Sequence, residues 1–271
     1  MPPSQPSARP RYRAAILAGA VLLAVAAAPV SAAGPSVAGP SVAGPSVAGP
    51  SVVGSGQEHT VVVGSRGDFV AQANFVQCVG ASMQMMLNMI QPGRDQTAKT
   101  QSELQKLARS WSGPRPDGGE RQGASVRGWA AGLNLMGAGP YRLVGESTLQ
   151  GALQVAARAI ATTGKPVGLL VWRGRHAWVM SGFSATADPL TTDRFEVTRA
   201  VVYDPLYPHG SAVWGPSPTP GAALTPKQVG RQFVPRRMST RWLSGYSALA
   251  GKYVLVLPYE IDLSIYGVAF D

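Results

Sequence analysis

Cysteine is nearly missing from this chain of 271 residues, which carries one, Cys78. A single thiol excludes an internal disulfide framework and, with no CxxC partner, the usual dithiol chemistry of disulfide reductases. No cysteine follows the N-terminal apolar segment, so no lipoprotein attachment site lies there. The chain also lacks runs of lysine or arginine interleaved with aromatics and any nucleic-acid motif. Its formal net charge of +10 therefore points to anionic envelopes, peptidoglycan or acidic peptides and away from nucleic acid. Outside the N-terminal segment no stretch is long and apolar enough to span a bilayer. What remains is enough for one core, since a domain of about 200 residues buries most of its apolar surface without disulfides.

Residues 1–33 contain Arg9, Arg11 and Arg13, an apolar run from Ala14 to Ala28, then Pro29 and the small-residue pattern Val30-Ser31-Ala32. This is the pattern of a secretory signal cleaved near Ala32 or Ala33, which predicts a secreted or extracytoplasmic protein with no transmembrane segment after cleavage. An uncleaved anchor is the alternative, because the run is almost long enough to cross a membrane. From Ala33 the unit AGPSV repeats four times in tandem, ending at Val52. Proline at every fifth position forbids continuous helix or sheet, so residues 34–56 are expected to form a disordered spacer. A globular domain is predicted over residues 57–271.

Within that domain HTVVVGS, starting at His59, predicts a short strand. Residues 78–90 place Ala81, Met85, Met86 and Met89 at helical spacing, before Pro92-Gly93. Further helices are predicted from Thr100 to Trp111, from Ser125 to Leu135, and from Thr148 to Gly164. In the last of these, Leu149, Leu153, Ala156, Ala157 and Ile160 share a face. The pattern then turns to strands: Val167 to Trp172 and Ala177 to Phe183 around the turn Arg173-Gly174-Arg175, then RAVVYDP, and finally KYVLVLP. Helices first and antiparallel strands after them predict an α+β domain with segregated layers.

Three positions could carry chemistry. Cys78 opens the first strong helix, where unpaired N–H groups and the positive end of the macrodipole favour a thiolate; the alternative is a small buried hydrophobe. His176 begins a strand whose alternation sends Ala177 and Val179 to one face and Trp178 and Met180 to the other, so that its imidazole protrudes at the strand end, able to take a proton from a thiol. A hairpin histidine with no task reads the same, and His59 and His209 sit in loop or strand-edge settings. Asp204 follows an apolar strand in VVYDP and could accept the second imidazole N–H, or could simply form an Asp-Pro turn. Gln72, six residues before Cys78, could donate its amide into the space before the sulfur and, with the Cys78 N–H, make an oxyanion hole.

The ordered set of Gln72 in QANFVQC, Cys78 at a helix start, His176 in GRHAWVMSGF and Asp204 in VVYDP resembles the papain-like cysteine peptidases. Within that clan it is most similar to the bacteriocin-processing, double-glycine peptidases, over roughly residues 68–258. The resemblance implies a papain-like α+β fold in which an N-terminal helical part, including the nucleophile helix, packs on an antiparallel β-sheet. It implies a thiol protease, with Cys78 as nucleophile, His176 as base and acid, Asp204 as orienter and Gln72 as oxyanion donor, acting on a peptide or protein substrate. No metal or organic cofactor is required. Gln77 and Val79 flank the cysteine where the family commonly has aspartate or tryptophan, and 27 residues separate His176 from Asp204 through the insertion ATADPLTTDRFE. Glycine-rich residues 113–123 and proline-rich residues 215–226 are candidate cleft walls. Hydrolysis, acyl transfer to an amine, and a catalytically inactive binding or scaffold module of the cell envelope all remain open on the same residues.

Overall fold

Capping side chains decide where most of the helices begin. In the computed structural model, which describes residues 58–91, 93–114, 121–237 and 247–260, the strand β1 (His59–Val62) leads through a loop to α1 (Cys78–Ile90). The next helices, α2 (Ala98–Ser110) and α3 (Val126–Leu135), start at Thr97 and Ser125, whose hydroxyls accept from the N–H groups of Thr100 and Gly128. Such caps contribute about 1 kcal/mol each, and Thr97 explains why α2 starts two residues before its predicted position. The expected signal (1–33) and spacer (34–56) lie outside the described residues, all of which belong to the unit Val53–Asp271.

After α3 the chain forms β2 (Tyr141–Glu146), α4 (Leu149–Thr163), β3 (Val167–Val171), β4 (His176–Ala185) and β5 (Val197–Tyr203). Short pieces follow: β6 (Gly210–Ser211), β7 (Gly215–Pro216), β8 (Ala222–Leu224) and α5 (Pro226–Val229), then the long strand β9 (Tyr253–Pro258). The main sheet is antiparallel in the order β2-β9-β3-β4-β5-β8, and β1 pairs with the far half of β4, His59 opposite Ala185. This is a mixed α+β architecture built on an antiparallel sheet.

Alternation along β4 distributes the core. Trp178, Met180 and Phe183 join Leu153, Ala156, Ala157 and Ile160 of α4 in one apolar cluster. Ala177 and Val179 join Met83 and Met86 of α1 and Trp129 of α3 in the other. The sheet is therefore covered on both faces, which corrects the expectation of segregated layers: α4 crosses to the side opposite α1. The strand β2, which precedes α4, was also unforeseen. Its sequence, YRLVGE, has no clean alternation, and it becomes a strand by pairing along its whole length with β9. Burying a large aliphatic or aromatic side chain stabilises by about 1.5–3 kcal/mol, and Met83, Met85 and Met86 of α1 are fully buried, so the middle of this helix is fixed by packing. Close packing of α1 on α2 needs Gly80, where a Cβ would come within 2.7 Å of the Gln101 carbonyl oxygen.

The insertion ATADPLTTDRFE lies at the end of the β4–β5 hairpin, where Ala185 pairs with Val197. His176 stands at the opposite end of β4, nine residues away or roughly 30 Å. The long separation of His176 from Asp204 in sequence thus costs nothing in space.

Candidate active site

The nucleophile candidate is held by a loop pinned from beneath. Two glutamines one turn apart on α2, Gln101 and Gln105, are buried and use both ends of their amides on the backbone before and within α1. Gln101 Oε1 accepts from Ala73 N–H at 2.7 Å and its Nε2 donates to the Ala71 carbonyl at 2.9 Å. Gln105 Oε1 accepts from Gly80 N–H at 2.9 Å, and its Nε2 donates to the Val76 carbonyl at 2.9 Å. Leaving such buried groups unpaired costs about 1–3 kcal/mol each, so these four bonds fix the path of residues 71–80. No sequence argument singled out these glutamines; their spacing of four on a helix facing an apolar partner was the available signal.

Cys78 is the first residue of α1, half-buried at the edge of the α1 cluster. The preceding residue, Gln77, makes no side-chain cap, and no acidic side chain occupies the first turn. Gly80 N–H is taken by Gln105 and Ala81 N–H by the Gln77 carbonyl. The N–H groups of Cys78 and Val79 have no hydrogen-bond partner among the described residues, and they leave the positive end of the helix beside the sulfur.

His176 and Asp204 form one buried unit. The pairing of Val179 with Tyr203 brings the end of β5 alongside the start of β4, and His176 Nε2 lies 2.6 Å from Asp204 Oδ1. His176 is 4% exposed and Asp204 fully buried, so the imidazole does not protrude into solvent as the strand-end position suggested. Asp204 Oδ1 also accepts from Leu206 N–H at 2.8 Å, while Oδ2 has no partner among the described residues. The Asp-Pro turn and the carboxylate facing the imidazole are therefore the same feature. With Nε2 engaged, Nδ1 is the ring nitrogen left for a thiol.

Burial pulls the His176 pKa down, but the hydrogen bond to Asp204, then hydrogen bonding and charge from Cys78, and finally the Asp204 charge outweigh it and push it up to about 9. The thiol is thus electrostatically in touch with the imidazole, as packing of α1 on β4 requires. An imidazolium is the favoured form at neutral pH.

Gln72 is brought to the site by its backbone: its N–H donates to the Pro205 carbonyl at 2.7 Å. Its side chain differs from the expectation. Nε2 donates to the Asn74 carbonyl at 2.8 Å, and Oε1 is buried without a partner. One amide N–H is thereby used within the loop.

A residue that the sequence did not flag covers the imidazole. Trp172 stacks on His176 with ring centroids 4.1 Å apart and planes 23° apart. The residues WRGRH close a tight hairpin, which was the signal that an aromatic residue would return over the histidine. His59 is remote, 3.7 Å from Asp188 at the insertion end. Of the candidate cleft walls, Gly123 comes up against the Val76 carbonyl, residues 115–120 lie outside the described residues, and Pro216 accepts from Gln232, a partner of Trp172.

Among the described residues no group of three or more His, Cys, Asp or Glu is placed to hold a metal ion, and no helix is long and apolar enough to cross a membrane. No family model, curated protein or solved structure matches the chain.

Proposed function

We propose that the protein is a papain-like cysteine peptidase that hydrolyses peptide or isopeptide bonds. The observation that carries this reading is the buried His176–Asp204 pair, 2.6 Å apart, acting on a thiol at the uncapped start of α1. A carboxylate at Nε2 orients the ring and favours its protonated form, so the proton of Cys78 can reside on Nδ1. The thiolate attacks a carbonyl carbon, and the Cys78 N–H with the second Gln72 amide N–H receives the oxyanion. His176 then protonates the leaving amine, and a water deprotonated by the same imidazole hydrolyses the thioester. An amine in place of water makes the enzyme an acyl transferase. The signal and spacer patterns of residues 1–56 support export and residence at the cell envelope, to which the basic charge is suited.

One observation favours a second reading, an inactive binding module of the envelope: the Gln72 amide is turned toward Asn74. The rate of Cys78 alkylation against pH decides between them. A peptidase is expected to react fast well below the ordinary thiol pKa of about 8.5 and to lose that reactivity in His176→Ala. A rate that rises only near that pKa, and is indifferent to His176, would leave the binding module standing.

A further inference from the structure

The geometry points to Trp172 as a positioning residue that clamps the His176 ring and holds it in its protonated form. The inference rests on the peptidase reading for its use, but its geometry stands separately. Trp172 and Arg173 both have φ of 56°, a left-handed conformation that is a genuine outlier for an aromatic residue. Such positions are unfavourable unless surrounding contacts over-determine them, and they gather at functional sites.

The hydrogen bonds among those contacts come from one residue, while the indole also packs against the apolar cluster that contains Trp178 and Met180. Trp172 N–H donates to the Gln232 carbonyl at 2.9 Å, and Trp172 Nε1 donates to Gln232 Oε1 at 2.8 Å. Gln232 Nε2 in turn donates to the Pro216 carbonyl at 3.2 Å, so the indole is anchored, through a residue just after α5, to the end of β7. The stack it makes on His176 does two things. It closes one face of the imidazole against water, protecting the Nε2–Asp204 bond, and it presents a π-face to an imidazolium, which is attracted where a neutral ring is not.

The charged groups around the ring are few. Asp204 at the end of β5 and Cys78 on α1 act on its charge. Arg173 and Arg175 share its turn, and the Arg236 side chain packs against Gly174. These cations oppose an imidazolium, which leaves the indole face, Asp204 and a Cys78 thiolate to favour it.

The test is an NMR titration of His176 in the full mature chain, where only three histidines need be resolved, run beside the pH profile of Cys78 alkylation. Trp172→Ala is expected to lower the His176 pKa by about one unit and to cut alkylation near pH 6 about tenfold, with convergence to the native rate at high pH. Trp172→Phe, which keeps a π-face but not the Nε1 bond, and Gln232→Ala, which removes the Nε1 acceptor and the link to Pro216 but keeps the backbone carbonyl that accepts from Trp172 N–H, are expected to shift it less in the same direction. Folding is followed by thermal denaturation; should Trp172→Ala not fold, the other two variants decide. A tryptophan that only fills space would lower stability and leave the His176 pKa unmoved in every folded variant, which overturns the inference. Failure of the peptidase reading looks different: native Cys78 is then inert at low pH, while the His176 titration still reports on the clamp.

Discussion

Gln72 and Pro205 share a backbone hydrogen bond of 2.7 Å, which ties the loop before Cys78 to the turn that carries Asp204. Two segments more than 130 residues apart in sequence thereby meet beside the thiol, and neither side chain is needed for the bond. The Gln72 side chain can therefore be changed without releasing the loop.

Removing that side chain separates architecture from chemistry. Gln72→Ala is expected to lower turnover of an activated acyl substrate about 10²–10³-fold, the usual loss of one oxyanion donor, while thermal stability and the rate of Cys78 alkylation stay near native. Equal losses of turnover and alkylation would mean that Gln72 shapes the loop and not the transition state.

Asp204→Asn tests what holds the imidazolium. Asparagine retains an oxygen for Leu206 N–H but loses the charge, so the His176 pKa is expected to fall from about 9 toward the ordinary 6.5 or below, since burial alone pulls it down. The measurement is the NMR titration of the imidazole, and an unchanged pKa would remove Asp204 from the mechanism.

Linkage fixes the pH dependence of stability. The folded pKa of His176 is raised to about 9 from an unfolded value of about 6.5, so between these values the folded state binds more protons. Its contribution is complete below pH 6.5 and is lost as pH rises through 9. Denaturant melts at pH 6 and pH 9.5 are expected to show native protein losing more stability over that interval than His176→Ala.

Gln105→Leu should act at a distance from the chemistry. It fits the apolar surroundings but leaves Gly80 N–H and the Val76 carbonyl unpaired, a loss of about 1–3 kcal/mol for each group that water cannot reach. Chemical denaturation measures that loss, and Cys78 reactivity is expected to fall with it because residues 76–80 are no longer held.

Long periodic segments were legible in the sequence, and so was the order of the candidate site. The helix at residues 78–90, the helix opening at Thr148 and the strands flanking residues 173–175 follow from spacing and caps that act within a few residues. The proximity of His176 to Asp204 was also expected, and the structure shows the contact. The strand β2 was not legible, because YRLVGE carries no period of its own and depends on β9, more than 100 residues later. The burial of His176 escaped notice for a similar reason: its cover, Trp172, depends on Gln232, which no local pattern connects to the hairpin. The direction of the Gln72 amide was decided by the Asn74 carbonyl two residues away, a choice between neighbours that composition does not rank.

The place of β9 in the middle of the sheet, between β2 and β3, has a consequence for when the Cys78–His176–Asp204 cluster assembles. The strand supporting the His176 hairpin on that side is the final described strand of the chain, so β3 and β4 have no completed support until synthesis has passed residue 258. Contacts of such long sequence separation form late. A nascent chain therefore carries its thiol without the assembled sheet behind the histidine until the last of these strands has been made.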